Sequence, residues 1–371
     1  MDSNFLDGQN VRAIDLGYGN VKYTLAHPDS FGPIKCDIFP SRSPTASDSG
    51  LAAGLAQKRN TAIIKIRGVE YEVGRDVAQA QGTFDTSAVL DNDFCLSDAY
   101  LARMRGAFHY MLNEKDAKTH KKHMHNNRID LLVVGLPVSN FRNVELRSKL
   151  RDRMIGKHEL SNGQEIEVDK VIVMPQPMGS FFEHAFDNSM FDTMQKQNNL
   201  VIDPGFFTFD WLMSAGLMPN DTRSDSVSRG MSAVLKSIAE AMKKKHPHWK
   251  TDVSMIVRLM DDHLRDGVPL IIFQQEHKLE DYIDAGRPII NEAVAALSNN
   301  VGDGADIHNI LVSGGGAKLY LDAVQEKFPN HKLLVMENPV YSNVRGFQLA
   351  GERHLLNSLR KQRKEALNAA D

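Results

Sequence analysis

Two short segments of the chain carry the same pattern. Ala13-Ile14-Asp15-Leu16-Gly17 and Val201-Ile202-Asp203-Pro204-Gly205 each read apolar residue, Ile, Asp, any residue, Gly. Each lies between two apolar runs of strand length, which predicts a β-hairpin whose first strand ends on a carboxylate. Glycine permits the sharp turn, and backbone N–H groups in such a turn can approach a phosphate closely, with Asn20 and Thr208 as further donors. Two hairpins of this kind facing one another would clamp one polyphosphate. A carboxylate beside phosphates calls for a divalent cation to offset the repulsion, and Mg2+ is the natural candidate. Either hairpin alone reads more readily as an ordinary turn; the pair is what points to chemistry.

A third element, Ile310-Leu311-Val312-Ser313-Gly314-Gly315-Gly316-Ala317, predicts a strand running into three glycines and then a helix. Missing side chains leave bare backbone against which a flat base and its sugar can lie, and the helix start can open a phosphate site. A plain strand-to-helix turn is the alternative. Neither G-x-G-x-x-G nor G-x-x-x-x-G-K-[ST] occurs, so a Rossmann fingerprint and a P-loop are both unsupported.

The elements that must hold these residues follow from periodicity. The runs 11–16 and 21–25 predict the first hairpin, and 63–66 with 69–73 around Gly68 predict another. Together with the Ser-, Ala- and Gly-rich residues 41–60, read as a mobile loop, the latter suggest a small surface subdomain. A helix over 96–112, a strand over 129–134 and a strand over 171–174 come next. The break Pro175-Gln176-Pro177 then precedes a helix over 178–186. At this point the opening pattern returns: a strand over 200–203, a turn at Pro204-Gly205 and a strand over 206–213. Helices over 227–245, 253–264 and 279–297, a strand over 307–312, a helix over 319–328, a strand over 333–336 and a helix over 343–359 complete the pattern, with 360–371 a frayed, charged end. Alternating strands and helices predict an α/β architecture, and the two hairpin openings predict two such units in tandem.

Composition sets outer limits. At 371 residues the chain is more than twice the length of a common domain, which predicts two cores with a cleft between them. A formal net charge of −3 and near-average apolar content give no bias toward nucleic acid or a membrane. Cys36 and Cys95 stand far apart without metal-ligand spacing, so neither a disulfide framework nor zinc is expected, and a reducing cytoplasm fits. Residues 1–10 are polar and acidic, and no apolar run nears the roughly 18 to 20 residues of a membrane span. His120, His123 and His125, set among Lys118, Lys121 and Lys122, read as a solvated basic loop rather than a metal site. Lys243-Lys244-Lys245-His246 reads as a helix end suited to its dipole.

Five segments together carry a family resemblance. Asp15-Leu16-Gly17-Tyr18-Gly19-Asn20-Val21-Lys22 resembles the first phosphate loop of the actin superfamily, and Gly135-Leu136-Pro137 with Pro175-Gln176-Pro177 its first connecting region. Asp203-Pro204-Gly205-Phe206-Phe207-Thr208-Phe209-Asp210 is similar to the second phosphate loop, Ser313-Gly314-Gly315-Gly316-Ala317 to the adenosine motif, and Asn343-Val344-Arg345-Gly346 to the second connecting region. They occur in the expected order over nearly the whole chain, and the first loop with the late Asn-x-x-Gly most resembles the bacterial plasmid-segregation actins of the ParM/StbA group.

The resemblance implies an α/β fold of tandem ribonuclease-H-like, actin-like domains with a nucleotide cleft between them. Domain I would span 1–198, with a surface subdomain at about 38–95, and be completed by 337–371; domain II would span 199–336. It implies a Mg2+-dependent ATPase cycling between ATP and ADP. Asp15 and Asp203 would hold the metal through water, Gln176 would position the attacking water, and Asp203 would act as acceptor. Asp15, Gly17, Tyr18, Gly19, Asn20, Lys22, Gly205, Phe206, Phe207, Thr208, Gly314, Gly315, Gly316 and Lys318 would contact nucleotide. One departure stands out: Phe206 and Phe207 replace the small residues usual after the second glycine, and Pro204 has no N–H, which implies altered phosphate geometry and slow hydrolysis. The implied function is a nucleotide-switched, filament-forming protein of plasmid DNA segregation in the bacterial cytoplasm. Its implied partners are other copies of itself and a DNA-binding adaptor, without direct nucleic-acid or membrane contact. A non-filamentous nucleotide-dependent regulator or a metabolite kinase of the same superfamily is the alternative. A chaperone ATPase is disfavoured because a substrate domain would have to follow the last motif.

Overall fold

A computed structural model of the chain describes residues 9–26, 34–46, 58–79, 94–115, 124 and 126–368. His120, His123 and His125, residues 47–57 of the loop and residues 369–371 of the charged end lie outside the described residues.

Two sheets organise the molecule, and the second repeats the first. In the first, the buried strand Val11–Leu16 pairs antiparallel with Asn20–Ala26 and parallel with Leu131–Leu136, which pairs parallel with Val171–Pro175. In the second, Asn198–Pro204 pairs antiparallel with Phe209–Ala215 and parallel with Asn309–Val312, which pairs parallel with Leu333–Val335. The central strands read as continuous apolar runs because both faces of a mixed sheet are covered. An outer strand, Lys35–Pro40, extends the first sheet beyond Asn20–Ala26.

Two helices cross between the sheets, each covering the sheet from which its own chain did not come. Gln176–Asp187 leaves the first sheet and buries Met178, Phe181 and Ala185 against Val201, Leu212 and Leu311 of the second. Ser342–Asn368 follows the second sheet and buries Val344, Phe347 and Leu355 against Val11, Ala13, Leu131 and Val133 of the first. At the crossing, a Cβ on Gly346 would sit 1.6 Å from the Gly179 carbonyl oxygen and one on Gly179 would sit 2.2 Å from that of Asn343. Only glycine at both positions permits this approach.

Several boundaries differ from the sequence-based expectation. The Pro175-Gln176-Pro177 segment is not a break. Strand and helix abut there, with Gln176 the first helical residue and Pro177 in the first turn, where its missing N–H costs nothing. Residues 206–208 belong to the second hairpin turn and not to its return strand, which starts at Phe209. Val227 lies in a short strand, Asp225–Val227, paired with Phe209–Trp211, and the helix starts only at Met231. The expected 279–297 helix is a 3-10 segment, Leu279–Ala285, followed by Arg287–Val301, separated at Gly286. The charged end is not frayed from 360 onward, since the last helix continues to Asn368. The 63–66 and 69–73 hairpin is present as Thr61–Ile66 and Val69–Gly74, and helix Asp98–Asn113 packs against it. Among the described residues no helix is long and apolar enough to cross a membrane, and Cys36 and Cys95 are not joined in a disulfide.

Candidate functional site

The two Asp-x-Gly hairpins close in the same way. Gly17 N–H donates to the Asn20 carbonyl at 3.0 Å, and Gly205 N–H donates to the Thr208 carbonyl at 2.8 Å. Gly17-Tyr18-Gly19-Asn20 and Gly205-Phe206-Phe207-Thr208 are therefore equivalent turns. Both face one open cavity, with Gly314 and Gly315 along its wall. Gly314 has φ +77°, and a Cβ there would meet Asp203 Oδ1 at 2.1 Å, so the glycine loop is pressed against the end of the strand that carries the carboxylate.

The carboxylates are held with the same symmetry. Gln176 Nε2 donates to Asp15 Oδ1 at 2.7 Å, and Asn343 Nδ2 donates to Asp203 Oδ2 at 2.6 Å. Each amide sits in the first turn of a crossing helix, three residues before the glycine of the crossing. Lys22 Nζ pairs with Asp15 Oδ2 at 3.0 Å. Burial opposes the Lys22 charge, but Asp15 and Asp203 outweigh it and raise its pKa. Burial and the neighbouring Asp210 push the Asp203 carboxyl up to about 7. Asp210 itself ties the halves together, accepting from Val138 N–H at 3.0 Å and from Thr208 Oγ1 at 2.5 Å.

Four helices begin at this cavity. Gln176 opens one, Met231 another, Gly315 precedes Ala317–Lys327, and Asn343 lies in the first turn of the last. Helix N-termini present unpaired N–H groups and the positive end of the dipole, so their convergence favours a multiply charged anion.

Aromatic side chains join the two turns directly. The Tyr18 ring lies 5.1 Å from Phe207 and 5.2 Å from Phe94, stacked on the latter. Phe206 packs so closely on Gly19 that a Cβ there would sit 2.8 Å from its Cγ. Phe206 and Phe207 are fixed from behind, because their carbonyls accept from Ser232 N–H at 2.6 Å and Gly230 N–H at 3.0 Å at the start of the Met231–Lys245 helix.

Of the residues expected at a nucleotide site, the cavity brings together Asp15, Gly17, Tyr18, Gly19, Asn20, Lys22, Gln176, Asp203, Gly205, Phe206, Phe207, Thr208, Gly314 and Gly315. Gly316 and Lys318 are not in its lining. Gly316 is buried with its N–H donating to the Pro204 carbonyl at 2.9 Å, and Lys318 is exposed one residue into the helix. Met231, Asp261, Leu264, Arg265, Val340 and Asn343 complete the lining. Only Asn343 carried a sequence signal, its Asn-x-x-Gly spacing; the others reach the cavity through tertiary packing. Burial raises the Asp261 carboxyl to about 6 despite Arg265 at 3.4 Å. Among the described residues no group of three or more His, Cys, Asp or Glu is arranged to hold a metal by itself.

Comparison with known proteins places the fold. No curated protein matches the sequence. Among solved structures, an apo pSK41 ParM protein is 18% identical over 94% of this chain and 98% of its own, with a TM-score of 0.64. A 15-stranded ParM filament from Clostridium botulinum is 19% identical, covering 93% and 99%, with a TM-score of 0.68. An archaeal actin homolog in complex with ADP is 16% identical, covering 93% and 100%, with a TM-score of 0.67. Residues 13–179 match the family model for the N-terminal domain of actin-like proteins. The chain has the actin-like fold, and the stretch 13–179 is similar to the N-terminal domain of actin-like proteins.

Proposed function

We propose that the cavity binds ATP with Mg2+, hydrolyses it slowly to ADP and phosphate, and uses the nucleotide state to switch assembly of the chain into filaments that segregate plasmid DNA. The observation that carries this reading is the doubled arrangement of Asp15 with Gln176 and Asp203 with Asn343 between two equivalent glycine turns. The convergence of helix N-termini supports a polyphosphate. The donor set suits Mg2+: both oxygens of Asp15 are engaged by Gln176 and Lys22, which fits a hard cation held through water rather than directly. When bound, Mg2+ would neutralise charge on the phosphate oxygens.

The chain's own groups would do the rest. Lys22 and Asn20 reach the phosphates from the first turn, and the N–H groups of Gly205 to Thr208 reach them from the second. The backbone of Gly314 and Gly315 would lie along adenosine, with Gly316 holding the loop against Pro204 from behind and Lys318 at the periphery. Gln176, anchored through Nε2 on Asp15, has its Oε1 to accept a hydrogen bond from the attacking water, and Asp203 is the nearby acceptor. On this reading domain I is 1–198 completed by 337–371 and domain II is 199–336, so nucleotide binds across a hinge and biases closure. A repeated head-to-tail contact available only to the closed shape gives a filament rather than a ring.

Likeness to a ParM filament supports assembly, and likeness to an ADP-bound actin homolog supports nucleotide binding. A DNA-binding adaptor would link such filaments to the plasmid in the bacterial cytoplasm. Sedimentation and light scattering with ATP and Mg2+, with ADP, and with chelator test the reading. Pelleting filaments only with ATP and Mg2+, accompanied by phosphate release, are expected; a protein that neither binds nucleotide nor pellets at high concentration sinks it.

A further inference from the structure

The two amide–carboxylate pairs match in position but differ in what holds the amides. Gln176 and Asn343 each stand three residues before a glycine of the helix crossing, so the residues that follow those glycines, Ser180 and Phe347, are equivalent too. Ser180 Oγ donates to Asn343 Oδ1 at 2.6 Å and lies 2.7 Å from Ser342 Oγ. Phe347 offers Gln176 no such partner. Its ring and Gln176 Cγ both press on Gly135, where a Cβ would sit 2.5 Å from the ring and 3.0 Å from Cγ. Gln176 is anchored through Nε2 on Asp15 and lines the cavity, and among the described residues no group donates to its Oε1.

Counting protons gives the Ser180 chain a direction. Ser180, Ser342, Asn343 and Asp203 are all buried. A serine has one hydroxyl proton, and that of Ser180 goes to Asn343 Oδ1. The short contact with Ser342 is then a hydrogen bond only if Ser342 donates, which leaves its 3.1 Å contact with the Pro339 carbonyl as the secondary one. Asn343 Nδ2 in turn donates to Asp203 Oδ2 at 2.6 Å. Donation therefore runs from Ser342 through Ser180 and Asn343 and ends on Asp203, whose ionised carboxylate only accepts. The opposite orientation of the Asn343 amide would set its oxygen against that carboxylate.

We propose that Ser180 is a positioning residue: by capping Asn343 Oδ1 it locks Asn343 as the donor to Asp203 and leaves Gln176 Oε1 as the amide carbonyl open to the attacking water. Without the cap, Asn343 Oδ1 is a buried acceptor with no donor, which costs more than the hydrogen bond alone was worth. Asn343 lines the cavity, so turning its carbonyl toward the cavity relieves that cost. The same turn gives up Asp203 and offers water a second, misplaced acceptor. Serine at one crossing and phenylalanine at the other thus give two matched amides separate tasks. The proposal rests on the hydrolysis reading above and deepens it.

Ser180→Ala should lower kcat for ATP roughly 10 to 100-fold while KM for ATP with Mg2+ changes by less than about threefold, because the cap serves hydrolysis geometry rather than nucleotide contact. Asn343→Ala should lower kcat on the same scale. Made together, the two changes should cost no more than the larger alone, since Ser180 acts through Asn343, whereas an unrelated packing defect would multiply the losses. Urea denaturation checks that each variant is folded. Should Ser180→Ala not fold, Ser180→Cys, which keeps the volume and a weak donor, takes its place with the same expectation at smaller amplitude. A second readout needs no activity. With isotope-labelled asparagine, the Asn343 side-chain amide signal, identified by its loss in Asn343→Ala, should exchange slowly with solvent in the wild type and roughly tenfold or more faster in Ser180→Ala. Wild-type kcat in Ser180→Ala overturns the proposal, as do losses that multiply in the double variant. If the wild type hydrolyses no ATP and Ser180 still governs the exchange, the hydrolysis reading falls and the orientation of Asn343 by Ser180 stands; unchanged exchange in that case removes both.

Discussion

Gln176 donates to Asp15 across 161 residues of chain, at 2.7 Å, from the first residue of a helix that covers the opposite sheet. The bond ties a strand end in the first sheet to an element packed on the second, so it reports directly on how the two halves meet. Gln176→Ala is expected to keep nucleotide affinity within a few-fold and to slow hydrolysis by about 10 to 1000-fold, the scale of losing one positioned group. Filaments of this variant should persist longer, because subunits stay in the triphosphate state. Phosphate release and sedimentation measured side by side check both; unchanged turnover assigns the water to another residue.

Asp15 and Asp203 are equivalent in the fold but not in their surroundings. Asp15 is paired with Lys22, whereas Asp203 is held by the neutral Asn343. Asp15→Ala should therefore leave Lys22 unpaired and still able to meet phosphate, so some metal-independent nucleotide binding remains. Asp203→Ala should weaken metal-nucleotide binding while leaving metal-independent binding unchanged. Calorimetry of both variants with Mg2+ and with chelator separates these outcomes. Wild-type affinity and hydrolysis in both would remove the premise that paired carboxylates serve a metal.

The contact of Tyr18 with Phe207 makes the two turns an aromatic clasp between the halves. Aromatic pairs contribute about 1 kcal/mol beyond simple burial, so Phe207→Ala should speed nucleotide release by about fivefold or more. Stopped-flow release of a fluorescent nucleotide measures this, and Phe207→Leu should fall between. Equal release from all three would mean that the clasp does not limit opening.

Much of this site was legible in the sequence because turn chemistry is local. Asp-x-Gly after an apolar strand specifies both the bend and the carboxylate at its end, and it did so twice. The turns' extent was harder to read: Phe206 and Phe207 continue an apolar run, and only the Gly205 to Thr208 hydrogen bond places them in the turn. The equivalence of Gln176-x-x-Gly179 with Asn343-x-x-Gly346 was hidden, because nothing local says that two helices far apart in sequence will cross at their glycines. Asp261 lies in the helix expected over 253–264 and Arg265 just past its expected end, and topology alone brings them to the cavity. The strand Lys35–Pro40 escaped notice because Lys35, Cys36 and Asp37 dilute its apolar pattern, as suits an edge.

The crossing itself makes a stability prediction. With the Gly179 carbonyl 1.6 Å from where a Cβ on Gly346 would sit, Gly346→Ala must push the helices apart along most of their contact. A loss of about 2 to 4 kcal/mol is expected by urea denaturation, the range of severe overpacking. Serine at either glycine should behave similarly. A change under about 0.5 kcal/mol would show that the crossing is slack.

Glu183, on the first crossing helix, pairs with Arg345 of the second at 3.3 Å and is buried there. Burial outweighs the guanidinium and pushes its carboxyl up to about 7. A carboxyl whose folded pKa lies above its unfolded value of 4.5 favours folding most below the unfolded value, and that contribution is lost as pH rises through about 7. Nucleotide-free protein should therefore lose stability between pH 5 and pH 8 through this group, by at most about 3 kcal/mol at about 1.4 kcal/mol for each pKa unit. Glu183→Gln cannot ionise, keeps the shape and retains a hydrogen-bond acceptor for Arg345. Its stability should fall less over the same interval, so the two proteins' melting curves approach or cross as pH rises. Thermal melts of both at half-unit steps from pH 5 to pH 8 measure the difference. Parallel pH profiles would mean that Arg345 keeps Glu183 ionised throughout, and the buried pair would then act as a fixed ionic tie between the helices.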